Sequence, residues 1–236
     1  MSTETGPGVD EVVRLHQALA DRSRLKIAQA LFTADASPGE LAALLGISSN
    51  LLAHHLNVLE AAGVVHRQQS EGDRRRHYVA LDPRGWVARQ VAAGLTTHQL
   101  RPVSRLAFVC THNSARSQLA AAHWNGHYPA LPAVSAGTHP AVAVHPRAVA
   151  LARRVGLPLN STGTSAIEDT VTADDLVIAV CDRVHEELPE QLRRMHWSIP
   201  DPVALDTDQA FTDAYRQLSE RIDRLGPTLD PEGPES

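Results

Sequence analysis

Cys110 and Cys181 are the two cysteines of this 236-residue chain, and Cys110 is followed six residues later by Arg116-Ser117. The run Leu106-Ala107-Phe108-Val109 leading into Cys110 is short, continuous and apolar, as a fully buried strand is. A helix is expected to open near Ser117. The loop between them, Cys110-Thr111-His112-Asn113-Ser114-Ala115-Arg116, is the right length to curl so that successive backbone N–H groups converge on one point. Together with the positive end of the helix dipole, those groups make a nest for a tetrahedral oxyanion. The same field, with the charge of Arg116, favours the thiolate of Cys110, which is the nucleophilic form. Arg116 can grip two oxygens of phosphate or arsenate at once. Ser117 can hydrogen-bond the sulfur, and Asn113 can brace the loop from within. A cysteine and an Arg-Ser pair at this spacing say little alone in a chain rich in arginine. Set between a strand and a helix, with Asn113 inside, the pattern becomes specific.

The elements that must position this loop are bounded by composition. Hydrophobic residues make up 43% of the chain but aromatic residues only 4%, so small aliphatic side chains carry the packing. That favours helices and a compact parallel sheet over an aromatic-rich sandwich. The length allows one large domain or two small ones. No run of 18 apolar residues occurs, and the acidic N-terminus lacks the apolar core of a secretory signal, so a cytoplasmic location is expected and no membrane partner. In that compartment a structural disulfide framework is disfavoured, which leaves thiol chemistry or buried filler as the readings of the two cysteines. A net charge of −5 argues against bulk attraction to nucleic acid, although a local basic patch matters more than the sum.

The chain divides on composition into a flexible N-terminus (1–10), a first domain (11–100), a linker (101–104), a second domain (105–225) and a disordered tail rich in Pro, Gly and acid (226–236). In the first domain Val12, Val13, Leu15 and Leu19 mark one helix face. Asp21 can cap a second helix carrying Leu25, Ile27, Ala28 and Leu31. Ser37-Pro38-Gly39-Glu40 reads as a capping box, its helix stopping at Gly46. Ser48 or Ser49 then caps a helix ending at Gly63. Val64–Gln69 and Arg74–Leu81 read as strands around the turn Ser70-Glu71-Gly72-Asp73. A further helix is expected around Trp86, Val87, Val91 and Leu95, its apolar stripe requiring a partner. Helices in this arrangement with a hairpin behind them form a winged helix-turn-helix.

Leu19 to Ile27, Glu40-Leu41-Ala42, Ser48 through Leu59 and the turn Glu60 to Val65 together resemble the ArsR family of dimeric repressors, over residues 10–100. The resemblance implies a homodimer on double-stranded operator DNA. Ser49, Asn50 and His54 would lie near base edges in the major groove. Arg74, Arg75 and Arg76 would reach phosphate or minor groove from beside the wing turn, or else form only a solvated edge. Members that sense metals often carry paired cysteines on the first helix of the DNA-reading unit. None occurs between Glu40 and Leu45, so no metal site is expected.

The second half resembles the low-molecular-weight protein tyrosine phosphatases and the arsenate reductases of the same fold. The match runs from the Cys110 loop through Val134-Ser135-Ala136-Gly137-Thr138 and His145-Pro146-Arg147-Ala148 to Asp175–Cys181 and Asp201-Pro202. It implies a three-layer α/β domain with a four-stranded parallel sheet, Cys110 as nucleophile and Asp201 as general acid. Asp201 also reads as a plain helix-start residue before Pro202. Asn113 through Gln118 and Gly163-Thr164-Ser165 look like the reductase side, and Val203 and Ala204 stand where a tyrosine phosphatase would carry aromatic residues. Cys181 lies where the reductases place a resolving thiol, and its attack would leave a Cys110–Cys181 disulfide. No further cysteine follows near Leu188, so recycling would fall to an external low-molecular-weight thiol or thioredoxin, with no bound cofactor. His112 stands where many relatives have glycine. The expected protein is thus a DNA-binding regulator with a thiolate oxyanion domain that reduces arsenate. A phosphatase or a non-catalytic oxyanion sensor are the alternatives.

Overall fold

The computed structural model describes residues 8–82, 103–159, 163–189 and 192–229. The helix expected around Trp86 lies outside them. Contacts divide the chain into two units: Met1–Gln69 with Arg76–Thr97, and Ser70–Arg75 with His98–Ser236. The six-residue turn Ser70–Arg75 therefore groups with the second unit.

The first unit is built from α1 (Val9–Leu19), α2 (Arg22–Ala30), α3 (Pro38–Leu45), α4 (Ser49–Ala61) and the antiparallel pair β1 (Val65–Gln69) and β2 (His77–Leu81). Helix α1 starts at Val9, inside the stretch expected to be flexible. Glu11 and Val12 donate to the Gly8 carbonyl, and Asp10 and Glu11 suit the positive helix start. Its inner face is Leu15, Ala18 and Leu19, whereas Val13 is exposed. The Asp21 carboxylate accepts from Arg24 N, and Ser37 and Glu40 form the complete capping box. Gly46, at φ 64°, ends α3, and Ser48 rather than Ser49 caps α4. The core gathers Ile27, Leu31, Leu41, Leu52, Leu56, Leu59 and Val79. Strand β2 begins at His77, three residues later than expected. Asp73 takes Arg75 N and the Arg75 guanidinium on its carboxylate, which turns the backbone before it can pair.

The second unit carries β3 (Leu106–Cys110), α5 (Arg116–His127), β4 (Ala133–Gly137), α6 (Pro146–Arg154), α7 (Ile167–Thr170), β5 (Leu176–Ala179), α8 (Asp182–Glu187), β6 (Arg194–His196), α9 (Pro202–Leu205) and α10 (Asp208–Leu229). Its four strands run parallel in the order β4-β3-β5-β6, the sheet expected from the sequence. Every residue of β3 and β5 is buried, which requires helices over both faces. Phe108 lies between Trp124 and Trp197 at centroid distances of 6.3 and 5.8 Å. At the N-terminal end of the sheet, Arg105 holds Asp175 through a two-bond fork of 2.8 and 2.7 Å. Helix α10 continues to Leu229, past the start of the expected tail at Gly226. Leu225 is fully buried, and Gly226 lies against the Tyr128 ring with no space for a side chain. Among the described residues no helix is long and apolar enough to cross a membrane.

Candidate functional site

Strand β3 ends at Cys110, and the chain then folds into a tight loop before α5 starts at Arg116. The loop carbonyls are drawn outward by the segment after β4. Thr138, His139, Ala141 and His145 donate their N–H groups to the carbonyls of Cys110 (3.3 Å), Thr111 (2.8 Å), His112 (3.0 Å) and Ser114 (2.8 Å). With its acceptors committed to that side, the loop presents its donors to the other. Asn113 N already points at Cys110 Sγ, 3.2 Å away. Gly137 makes the close approach possible, since a Cβ there would meet Asn113 N and Thr111 O at 2.9 Å each.

Asn113 is fully buried with φ 50°, a conformation that asparagine tolerates better than most residues. Its Oδ1 accepts from Ser165 N (2.8 Å) and Gln118 Nε2 (3.0 Å), which fixes the amide orientation. Nδ2 then donates to Ser117 Oγ at 2.9 Å. The Ser117 hydroxyl proton is left to point at Cys110 Sγ, 3.1 Å away, where it can stabilise a thiolate. Gln118 also reaches the Gly163 carbonyl at 3.1 Å, which ties in the strip from 163 to 165.

Arg116 is buried, and its guanidinium meets Ile199 O (2.9 Å), Asp201 Oδ2 (3.3 Å) and Glu71 Oε2 (3.3 Å). Asp201 is both the helix-start residue and a member of the site. It caps α9 by accepting from Val203 N at 3.2 Å, while its other carboxylate oxygen faces Arg116. Burial pushes the Glu71 carboxyl above the ordinary range, against the opposing pull of the Asp201 N–H and Arg116.

Cys181 is buried at the residue before α8, two residues beyond the end of β5 at Ala179, and no side-chain hydrogen bond caps the helix start. Its Sγ lies 3.6 Å from Thr111 Oγ1, so the second thiol touches the loop of the first. Burial pushes the Cys181 thiol up, Arg116 pulls it down and Cys110 adds to the rise. His112 is exposed, with Nδ1 3.0 Å from the His139 carbonyl. The structure thus brings together Cys110, Thr111, Asn113, Ser114, Ala115, Arg116, Ser117, Asp201 and Cys181. The sequence reasoning missed Glu71, the Ile199 carbonyl and the bracing segment 138–145. These contacts use main-chain atoms or lie far along the chain, and only Gly137 hinted at a close approach.

Residues 105–234 match the low molecular weight phosphotyrosine protein phosphatase family. The chain belongs to that family. Residues 19–68 match a helix-turn-helix domain. An arsenate reductase of Brevibacillus brevis (strain 47) is 32% identical over 127 residues, covering 51% of this chain and 92% of the relative. An arsenate reductase of Bacillus cereus (strain ATCC 14579) is 31% identical with the same coverage. Among solved structures, an arsenate reductase from Archaeoglobus fulgidus DSM 4304 aligns with a TM-score of 0.45 at 28% identity, covering 51% of this chain and 97% of its own.

In the first unit, Ser49, Asn50 and His54 are exposed on α4, the second helix of the helix-turn-helix. His55 turns inward, with Nδ1 3.8 Å from Asp21 Oδ1. Arg74, Arg75 and Arg76 are exposed around the hairpin turn, Arg75 paired with Asp73.

Proposed function

We propose that this low-molecular-weight phosphatase family member is a DNA-binding regulator whose Cys110 loop takes up arsenate and reduces it to arsenite. The observation that carries the reading is the Asn113–Ser117–Cys110 chain of hydrogen bonds beneath a loop that has four of its carbonyls, those of Cys110, Thr111, His112 and Ser114, bonded to the segment after β4. The Cys110 thiolate attacks arsenic, Asp201 protonates the departing oxygen as water, and Arg116 holds the remaining oxygens. Cys181 then attacks Cys110 Sγ. The sulfur–arsenic bond breaks with its electron pair on arsenic, giving arsenite and a Cys110–Cys181 disulfide. Each thiol supplies one electron, and an external dithiol such as thioredoxin, or two equivalents of a low-molecular-weight thiol, restores the pair and is itself oxidised to a disulfide.

Support for arsenate over phosphoester comes from the arsenate reductase relatives, from Cys181 against the loop, and from Val203 and Ala204 after Pro202. For the helix-turn-helix region and its hairpin we propose a cytoplasmic homodimer of the ArsR type on operator DNA, read by Ser49, Asn50 and His54 and held by Arg74–Arg76. The helix-turn-helix match and the exposure of these residues support it.

The test is arsenate-dependent arsenite release by the full chain, with thioredoxin or a low-molecular-weight thiol. Cys110→Ser is expected to abolish release, and Cys181→Ser to stop it after one covalent step. Arsenite release undiminished in Cys110→Ser would sink the proposal. Hydrolysis of p-nitrophenyl phosphate that survives Cys181→Ser, without arsenite release by the wild type, would establish the phosphatase reading instead.

A further inference from the structure

Among the described residues Arg116 has three acceptors, and they differ in origin and exposure. The Ile199 carbonyl is main chain beside the Trp197–Ile199 turn. Asp201 is anchored by its cap on α9. The third, Glu71, comes from the turn Ser70–Arg75, which belongs to the second unit. Its carboxylate is nevertheless well seated. Oε1 and Oε2 accept from Asp201 N at 2.8 and 3.1 Å, and Oε2 also faces Arg116 Nη1.

The turn is docked by more than one contact. Glu71 N donates to Asp182 Oδ2 at 2.9 Å, and Ser70 Oγ donates to Glu186 Oε1 at 2.7 Å. Ser70 Oγ also accepts from Gly72 N and Asp73 N, which closes the turn on itself. Gly72 packs on the Arg183 backbone and the Glu186 carboxylate, where a Cβ would come within 3.1 Å of Arg183 Cα. A carboxylate held by a guanidinium and a backbone N–H is bound by the same kind of donors that bind a phosphate or arsenate oxygen.

We propose that Glu71 is a built-in anionic competitor of the Arg116 site, so that an oxyanion bound there must expel the Glu71 carboxylate and release the turn Ser70–Arg75. The inference rests on the oxyanion reading of the Cys110 loop. Two anions on one buried guanidinium repel, and Glu71 is the more exposed of its two carboxylate partners, at 44% against 27% for Asp201. The released segment carries Arg74 and Arg75, with Arg76 next in the chain. Oxyanion binding is thereby linked to the freedom of the basic residues beside the hairpin turn, and the linkage is reciprocal.

Inorganic phosphate titrated calorimetrically into the full chain tests this. Glu71→Gln keeps the shape of the side chain and removes its charge, and is expected to bind phosphate about tenfold tighter than wild type. Equal or weaker binding by Glu71→Gln, with wild type binding normally, would overturn the inference and leave the oxyanion reading intact. No phosphate or arsenate binding by either protein would overturn both. A second measurement needs no variant: brief trypsin treatment of wild type, with cleavage after Arg74, Arg75 and Arg76 followed by mass spectrometry. Saturating phosphate is expected to speed these cuts severalfold while cuts elsewhere stay constant. Unchanged cleavage would overturn the release of the turn.

Discussion

Three helix starts of the first unit, those of α2, α3 and α4, and the start of α5 in the second are built on opposite plans. Helices α2, α3 and α4 are each closed by a side chain from their own sequence, Asp21, Ser37 and Ser48. At α5 the cap position is Ala115, with φ −142° and ψ −79° and no side-chain bond to the helix start. Ala115 is nonetheless buried, inside a loop braced on its carbonyl side. A helix start closed by its own side chain serves the fold. One left to a buried, braced loop directs its N–H groups and dipole at something that is not part of the helix. The candidate site residues follow the same division. Those proposed for the second unit bond to one another at about 3 Å, whereas Ser49, Asn50 and His54 are exposed on a helix.

The sharpest way to break this comparison is Arg116→Lys, which keeps the charge and loses the planar fork. Arsenite release is expected to fall on the order of 100-fold, with a parallel loss of phosphate affinity. Retention of activity within a few-fold would mean that the loop N–H groups suffice and that the guanidinium only balances charge. Asn113→Ala comes next. It removes three hydrogen bonds, two of them buried, and leaves Ser165 N and Gln118 Nε2 without that acceptor, at a cost of about 3 kcal/mol to the second unit. Urea unfolding followed by the fluorescence of Trp124 and Trp197 measures it. A loss below about 1 kcal/mol would show that the bracing segment alone holds the loop.

Much of this was legible in the sequence because the signals were local. The capping box at Ser37, the stop at Gly46 and the strand–loop–helix frame around Cys110 each lie within a few consecutive residues. Asn113 and Ser117 were readable for the same reason, since their partners lie inside or beside the loop. What escaped reading depends on distance along the chain or on main-chain atoms. Glu71 looked like an ordinary turn residue, and its contact with Arg116 spans 45 positions. The outward pull on the loop carbonyls comes from N–H groups that no side chain advertises. The late start of β2 was hidden because Arg74-Arg75-Arg76 gives no sign that Asp73 will hold the chain in a turn. The helical course of Gly226–Leu229 was masked by a composition that reads as a tail, although Leu225 and the Tyr128 ring anchor it.

The smallest expected effect tests the closed side of the comparison. The Asp21 carboxylate is held below its ordinary range, chiefly by the Arg24 N–H and also by the charges of Arg24 and His55, against some burial. A folded-state value lower than that of the unfolded chain means that the unfolded chain binds the proton more readily. The cap therefore contributes fully above the unfolded carboxylate value of about 3.9, and its contribution is lost as pH falls through the lower folded value. Asp21→Ala is expected to cost the first unit about 1 kcal/mol near neutrality. Hydrogen exchange of the Arg22–Ala30 segment reads it directly, because Arg24 N is the capped amide. Wild type and variant should differ at neutral pH and converge in acid. A difference that persisted below the folded-state titration would place the contribution of Asp21 in its contact with His55 or in packing, and the contrast with Ala115 would no longer be one of capping.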